Sequence, residues 1–258
     1  KNIEALYCVL RAPWTQTKIG SVEKNFDEPA HITERIMAEL ARQAVGQMGG
    51  AKYFLEASVA RVALDGYAVK HPEGKRAKRI ELSALVAAGD PAMRAAAQEA
   101  LAALLPAHQP IVRSGTRALS AAIAQSGRGG DCLALDVSRE GTSILVMRDG
   151  IAEESAYLEE GVRSIMQRAA PNAAPEAGYA ALSMMARDEC SEEACLAIQQ
   201  GFAAMEPELA HAFGEAFAAL SAGRRLPTQT SLLSEPALLP WLVKFFSRID
   251  FTQFTEIA

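Results

Sequence analysis

Residues 133–150 read LALDVSREGTSILVMRDG: an apolar run, an aspartate, a polar turn, a second apolar run and Asp-Gly. This is the pattern of a β-hairpin with a carboxylate near its tip. Such a tip grips phosphate when its backbone N–H groups come close to the anion, and glycine permits that approach because it has no Cβ. A nearby aspartate then holds a metal ion, usually through water. The residues at and beside this tip are Asp136, Ser138, Arg139, Gly141 and Thr142. The tip itself, Ser138-Arg139-Glu140-Gly141, has a Cβ at two positions where glycine would serve. Glu140 places negative charge where a phosphate would sit, and Arg139 offsets it in part.

A second stretch with chemical potential is KHPEGKRAKR, residues 70–79, where Lys70, Lys75, Arg76, Lys78 and Arg79 cluster. It reads as a contact for an anionic partner, such as a membrane surface or an acidic tail. The plainer reading is a solvated hairpin tip kept from pairing by its charges, and it is preferred. His31, His71, His108 and His211 are scattered without metal-ligand spacing, and no Cys or Ser has a local base, so nucleophilic catalysis has no support. Cys8 and Cys132 sit in apolar runs and are expected to be buried small hydrophobes. Cys190 and Cys195 fall five apart on an expected helix with no further ligands nearby, so neither a metal site nor a disulfide framework is expected.

The elements that position these residues follow from periodicity. Strands are expected at 3–10, 15–24 (before an Asp27-Glu28-Pro29 turn), 53–63, 67–70 and 79–87, with a helix from Thr33 to Gln47 ended by Gly49-Gly50. Asp90 followed by Pro91 is an N-cap with proline at the first helical position, which starts a helix to about Leu105. A short strand at 111–112 and a helix at 116–125 lead to a glycine-rich joint at 126–130. Beyond the hairpin come a strand at 154–158 and a helix from Gly161 to Ala170. Three helices are expected at 176–187, 191–204 and 206–222, then a strand at 228–233, a helix at 236–247 and a last strand at 251–254. The fold class is α/β, mixed α+β.

The order of these pieces carries a resemblance. CVLRAPWTQTKIGSVEK (8–24), GYAVKHPEGKRAKRIELSALVA (66–87) and CLALDVSREGTSILVMRDG followed by LEEGVRSIMQRAA resemble parts of the bacterial actin-like family of the cell-division protein FtsA and the pilus-assembly protein PilM. The match covers most of residues 3–170. It implies an actin-like, ribonuclease H-like fold: residues 1–15 and 106–128 as a remnant of the first lobe, 16–105 as an inserted strand–helix–strand–strand subdomain, and 129–258 as a reduced, helix-rich second lobe.

By the same resemblance Asp136 is the aspartate of the second phosphate loop, Ser138 and Arg139 replace its glycine pair, and Ser143 stands where a second acidic residue is common. Gly161 matches a later glycine whose neighbour is replaced by Glu160, and Leu232-Leu233-Ser234-Glu235 lies where a Gly-Gly adenosine loop follows a strand. The family's first phosphate hairpin has no counterpart after Lys1. The expectation is therefore a vestigial nucleotide site and a non-catalytic scaffold or adaptor. It would act in cell division or type IV pilus-like assembly at the inner membrane face, through protein partners and self-association, with peripheral membrane contact only. The alternative is an ATPase or kinase of the same superfamily whose first phosphate loop lies upstream of Lys1 and restores ATP and magnesium binding.

Composition adds limits. The net charge of −5 over 258 residues gives no reason to expect nucleic-acid binding. Residues 1–150 hold 19 Lys/Arg against 16 Asp/Glu and residues 151–258 hold 7 against 15, which suggests two parts with different surfaces. No run of about 18 apolar residues is present to span a membrane. The chain opens without Met in what reads as mid-strand, as a fragment would. The apolar tail 236–254 is expected to be a helix buried in the second lobe rather than a membrane anchor.

Overall fold

The computed structural model describes residues 5–46, 53–126 and 130–256. The chain divides into two compact units, residues 1–129 with 148–155, and residues 130–147 with 156–258.

In the first unit, β1 (Tyr7–Leu10) pairs in parallel with β6 (Ile111–Ser114), Tyr7 opposite Ile111. Between them lies an antiparallel sheet of order β2-β5-β3-β4, made of β2 (Thr15–His31), β3 (Phe54–Leu64), β4 (Tyr67–Ala68) and β5 (Arg76–Gly89). Alternation in β5 turns Ile80, Leu82, Ala84 and Val86 to one face, where they meet Leu40 and Ala44 of α1 (Glu34–Gly46) in a single core. Asp65 and Gly66 both have positive φ, 50° and 89°, and make the tight turn between β3 and β4. Asp90 accepts the N–H groups of Ala92 and Met93 at 2.8 and 3.1 Å and so caps α2 (Pro91–Leu104). Ser114 caps α3 (Gly115–Gln125), accepting Arg117 N–H at 3.3 Å.

The second unit holds most of the sheet β10-β7-β8-β9. That sheet comprises β7 (Cys132–Val137), β8 (Thr142–Arg148), β9 (Ile151–Leu158) and β10 (Thr230–Leu233). Strand β7 is buried throughout, antiparallel to β8 and parallel to β10. Four helices share its core: α4 (Val162–Ala169), α5 (Pro175–Ala186), α6 (Glu193–Ser221) and α7 (Leu239–Arg248).

Several local expectations are corrected. The Asp27-Glu28-Pro29 turn lies inside β2, which continues to His31 through an irregular register between Asn25 and Ala30. β2 sits at the edge of its sheet in the strand order, where Pro29 need not donate to a ladder. The expected helices 191–204 and 206–222 are one helix, α6, with Pro207 inside it. Pro207 is exposed, while Cys195, Ile198, Phe202, Met205, Leu209, Phe213, Phe217 and Leu220 form one unbroken buried stripe. Burial of that stripe outweighs the cost of about 3 kcal/mol that an interior proline imposes.

Residues 251–254 form turns rather than a strand, and Leu226 makes an isolated bridge with Thr255. β4 stops at Ala68, short of the expected Lys70. Cys190 and Cys195 form a disulfide, Cys190 lying in the α5–α6 connection and Cys195 in the first turn of α6. Cys132 is buried as expected, whereas Cys8 is half-buried. The expected Gly49-Gly50 helix stop, residues 1–4 of the first strand and most of the glycine joint lie outside the described residues. The tail helix α7 buries Trp241, Leu242 and Phe245 in the second unit's core. Among the described residues no helix is long and apolar enough to cross a membrane.

Candidate functional site

The β7–β8 hairpin forms as expected, with Asp136 opposite Ser143 and Val137 opposite Thr142. Its tip is closed by its own bonds. Ser138 uses both its N–H and its hydroxyl on the carbonyl of Gly141, at 2.8 and 2.7 Å. Thr142 Oγ1 donates to the carbonyl of Glu160 at 2.6 Å, which ties the hairpin to the residue just before Gly161.

The tip also lies against the start of α4. The carbonyls of Ser138 and Arg139 accept the N–H groups of Val162 and Arg163, each at 2.9 Å. These belong to the first turn of the helix, whose opening N–H groups have no partner within the helix itself. An anion at this end would use the same donors. The N–H of Gly161 is taken as well, by Ser164 Oγ at 3.0 Å, and that hydroxyl donates to the Glu160 carboxylate at 2.9 Å. Arg168 pairs with the same carboxylate and with Glu208 at 3.1 Å.

The closeness of this packing explains both glycines. A Cβ on Gly161 would fall 2.3 Å from the nitrogen of Gly141 and 2.7 Å from the oxygen of Ser138. A Cβ on Gly141 would fall 2.3 Å from the hydroxyl of Tyr157, whose O–H donates to the Glu140 carbonyl at 3.3 Å. The glycines give space for the tip to seat on α4 and on Tyr157. Partial burial, then the charges of Glu159 and Glu140, push the Tyr157 phenol above its ordinary value.

Charge at the tip is also internally matched. Arg163 meets the Glu140 carboxylate at 2.7 Å, and Arg139 approaches it at 3.9 Å. Asp136 is 8% exposed, flanked in register by Ser143 and Leu233. A metal held through water needs a carboxylate open to that water, and Asp136 is nearly closed off. Among the described residues no group of three or more His, Cys, Asp or Glu is placed to hold a metal ion.

Beside the tip lies a cleft of about 560 Å³, lined by Arg139, Arg163, Met166, Gly178, Tyr179 and Glu235 among others. Burial, followed by the interaction with Glu235 beside it, raises the Tyr179 phenol above the ordinary range. Ser234 Oγ, in the segment matched to the adenosine loop, is buried without a partner among the described residues. There is room here for a base-sized group. At the hairpin tip the N–H donors of Ser138, Gly161, Val162 and Arg163 are already bonded within the chain and do not fit a triphosphate.

All six hairpin candidates, Asp136, Ser138, Arg139, Gly141, Thr142 and Gly161, therefore lie at or near one junction. What sequence reasoning missed is the set that shuts it: Tyr157, Arg163, Ser164 and Arg168. The basic cluster is less uniform than its composition. Arg76 donates to the Pro29 carbonyl at 2.9 Å, and Arg79 pairs with Glu23 at 2.9 Å and Glu81 at 3.4 Å. Lys70, Lys75 and Lys78 are exposed and form no ion pair among the described residues.

No family model matches the chain, and no curated protein matches it in sequence. Among solved structures, the PilM-PilN type IV pilus biogenesis complex is similar, with a TM-score of 0.57 over 95% of this chain and 68% of that chain, at 17% identity. The fold is actin-like. At this identity the likeness is one of fold alone.

Proposed function

We propose that this chain is a non-catalytic actin-like scaffold, an adaptor between proteins in a type IV pilus-like assembly machine. The observation that carries the non-catalytic reading is the pair of bonds from Val162 and Arg163 N–H to the carbonyls of Ser138 and Arg139. Those bonds consume donors that a phosphate would need. The pilus setting is supported by the likeness to the PilM-PilN complex. Cell division is the other setting the family resemblance offers, and the genes adjoining this one separate the two.

In this reading Asp136, Ser138, Arg139, Gly141, Thr142 and Gly161 are a nucleotide site turned into a structural joint. Residues 16–105 contact a neighbouring copy or a partner, and the chain works at the inner membrane face through those partners. Lys70, Lys75 and Lys78 are the members of the basic cluster left to meet an anionic surface.

The test is calorimetric titration of the full-length protein with ATP and magnesium, alone and with Ser138→Gly and Arg139→Gly combined. The expected result is no magnesium-dependent binding in either protein, because the donors are occupied whatever side chains the tip carries. Tight magnesium-dependent binding by the unaltered protein would overturn the scaffold reading. It would favour the second reading, an ATPase or kinase, for which the 560 Å³ cleft beside the tip is the supporting feature. Loss of that binding in Asp136→Ala would then assign the metal-holding role to Asp136.

A further inference from the structure

A second cleft lies apart from the hairpin, between α5, α6 and α7, with a volume of about 270 Å³. Its floor is apolar: Leu182, Met185, Phe202 and Trp241. This volume is below the usual 300–1,000 Å³ of cofactor and drug-sized sites and suits one large side chain.

Three features give the cleft polar character. Trp241 is 7% exposed and lines the cleft, and its indole N–H has no hydrogen-bond partner among the described residues. That N–H is not among the fully buried unpaired polar atoms, so it opens to the cleft as a donor for an incoming acceptor. Ala203 lines the facing wall on α6, and the residue four positions later is Pro207. Proline has no N–H, so the helix cannot supply the usual donor to the Ala203 carbonyl. The cleft thus offers one open donor and one open acceptor from two facing helices. A peptide group carries the matching acceptor and donor.

The third feature is charge. Asp188, Glu206, Lys244 and Arg248 all line the cleft and are matched in two ion pairs, Asp188 with Lys244 (3.9 Å) and Glu206 with Arg248, so any excess charge comes from the residues beside it. The α5–α6 connection and the first residue of α6 add Glu189, Glu192 and Glu193, all exposed, against Arg187 in the same segment. Arg187 is paired with Glu189 at 2.7 Å, and Glu192 and Glu193 form no ion pair among the described residues. The Cys190–Cys195 disulfide ties this acidic connection to α6, so its charges are held beside the cleft.

We propose that this cleft docks an extended peptide segment of a partner protein, with one bulky apolar side chain seated against Trp241 and basic residues beside it. The seated side chain is the anchor. The peptide group next to it bonds the Trp241 indole and the Ala203 carbonyl, and the flanking cations face the 188–193 connection. The site is separate from the β7–β8 tip and holds whether or not that tip binds nucleotide.

The protein has two tryptophans, Trp14 and Trp241, so Trp14→Phe leaves Trp241 as the sole indole reporter. The full chain with this change is titrated with three capped pentapeptides: arginine-rich with a central phenylalanine, the same with glycine in place of phenylalanine, and a glutamate-for-arginine version. Trp241 emission and calorimetry are read together. The arginine–phenylalanine peptide is expected to bind saturably and to shift the emission, with the other two weaker by about tenfold or more.

Ala203→Leu puts a larger side chain into the cleft from an exposed helical position and is expected to weaken the first peptide by about tenfold with an unchanged thermal midpoint. Asp188→Arg, at a side chain 90% exposed, weakens it through charge and provides an independent variant should Ala203→Leu disturb the fold. The proposal is overturned if Trp241 emission does not respond, if the glycine peptide binds equally well, or if neither variant changes the affinity.

Discussion

The backbone carbonyl of Ser138 accepts the N–H of Val162 at 2.9 Å, and through that bond a hairpin tip occupies the N-terminal end of α4. The neighbouring bond from Arg163 N–H to the Arg139 carbonyl makes the contact two-pronged. Side-chain identity at the tip is secondary to this. Even glycines at 138 and 139 would leave the same carbonyls in the same place.

Gly161→Ala tests how tightly the tip is seated. The added Cβ would meet backbone atoms of residues 138, 140 and 141 at 2.3–2.7 Å, and backbone cannot move aside as a flexible side chain can. The expected cost is about 1–3 kcal/mol, the usual range for overpacking. Urea denaturation of the variant checks it, and an unchanged midpoint would mean that the tip does not sit on α4 in solution.

Glu56 is a buried carboxylate of the first unit, 5% exposed on β3. It accepts Ser114 N–H at 2.7 Å and Arg117 at 2.8 Å, with Arg113 at 3.6 Å, and so joins β3 to β6 and α3. Glu56→Ala strands a buried backbone donor and removes the partner of Arg117. The arginines are more than a third exposed, which limits their share through screening. The expected loss is about 2–3 kcal/mol, most of it from the charge-assisted bond to Ser114. Glu56→Gln keeps an acceptor for Ser114 and should lose distinctly less. Equal losses for the two variants would show that packing, not hydrogen bonding, is what Glu56 supplies.

Tyr157 gives a pH dependence. Its folded-state pKa is raised above the ordinary 10.0, so the folded protein holds the phenolic proton more tightly than the unfolded chain does. The associated stability is fully present below pH 10 and is lost as pH rises through the folded value. Tyr157→Phe should flatten stability against pH in that window. Absorbance at the phenolate band should show one fewer late-titrating tyrosine in the variant. A titration curve that loses instead a tyrosine ionising at or below the ordinary value would contradict the seated position of the ring.

Local patterns were legible where one element sets its own form. The Asp90-Pro91 start of α2, the Asp65-Gly66 turn, the buried β7 and the apolar face of α7 could all be read from neighbouring residues. The failures came where a distant contact overrode a local signal. Pro207 reads as a helix break, yet the stripe from Cys195 to Leu220 runs past it, because burial against α4, α5 and α7 outweighs the local break. Pro29 reads as a turn, yet it lies in an edge strand. Cys190 and Cys195 read as two residues on one helix, and only the start of α6 at Glu193 brings their sulfur atoms together.

The same division applies to the candidate site. By itself the sequence determined that a hairpin with an aspartate near its tip exists, that Ser138-Arg139-Glu140-Gly141 is its tip, and that Gly161 opens a helix. Periodicity and turn chemistry act over a few residues and suffice for that. Only the tertiary structure decided what the tip does with its hydrogen bonds. Val162 and Arg163 lie more than twenty residues beyond Ser138 and Arg139, and whether their N–H groups face a ligand or the hairpin's own carbonyls depends on the chain folding back through β9. A backbone donor reads the same in any sequence, and its partner is set by which segments meet.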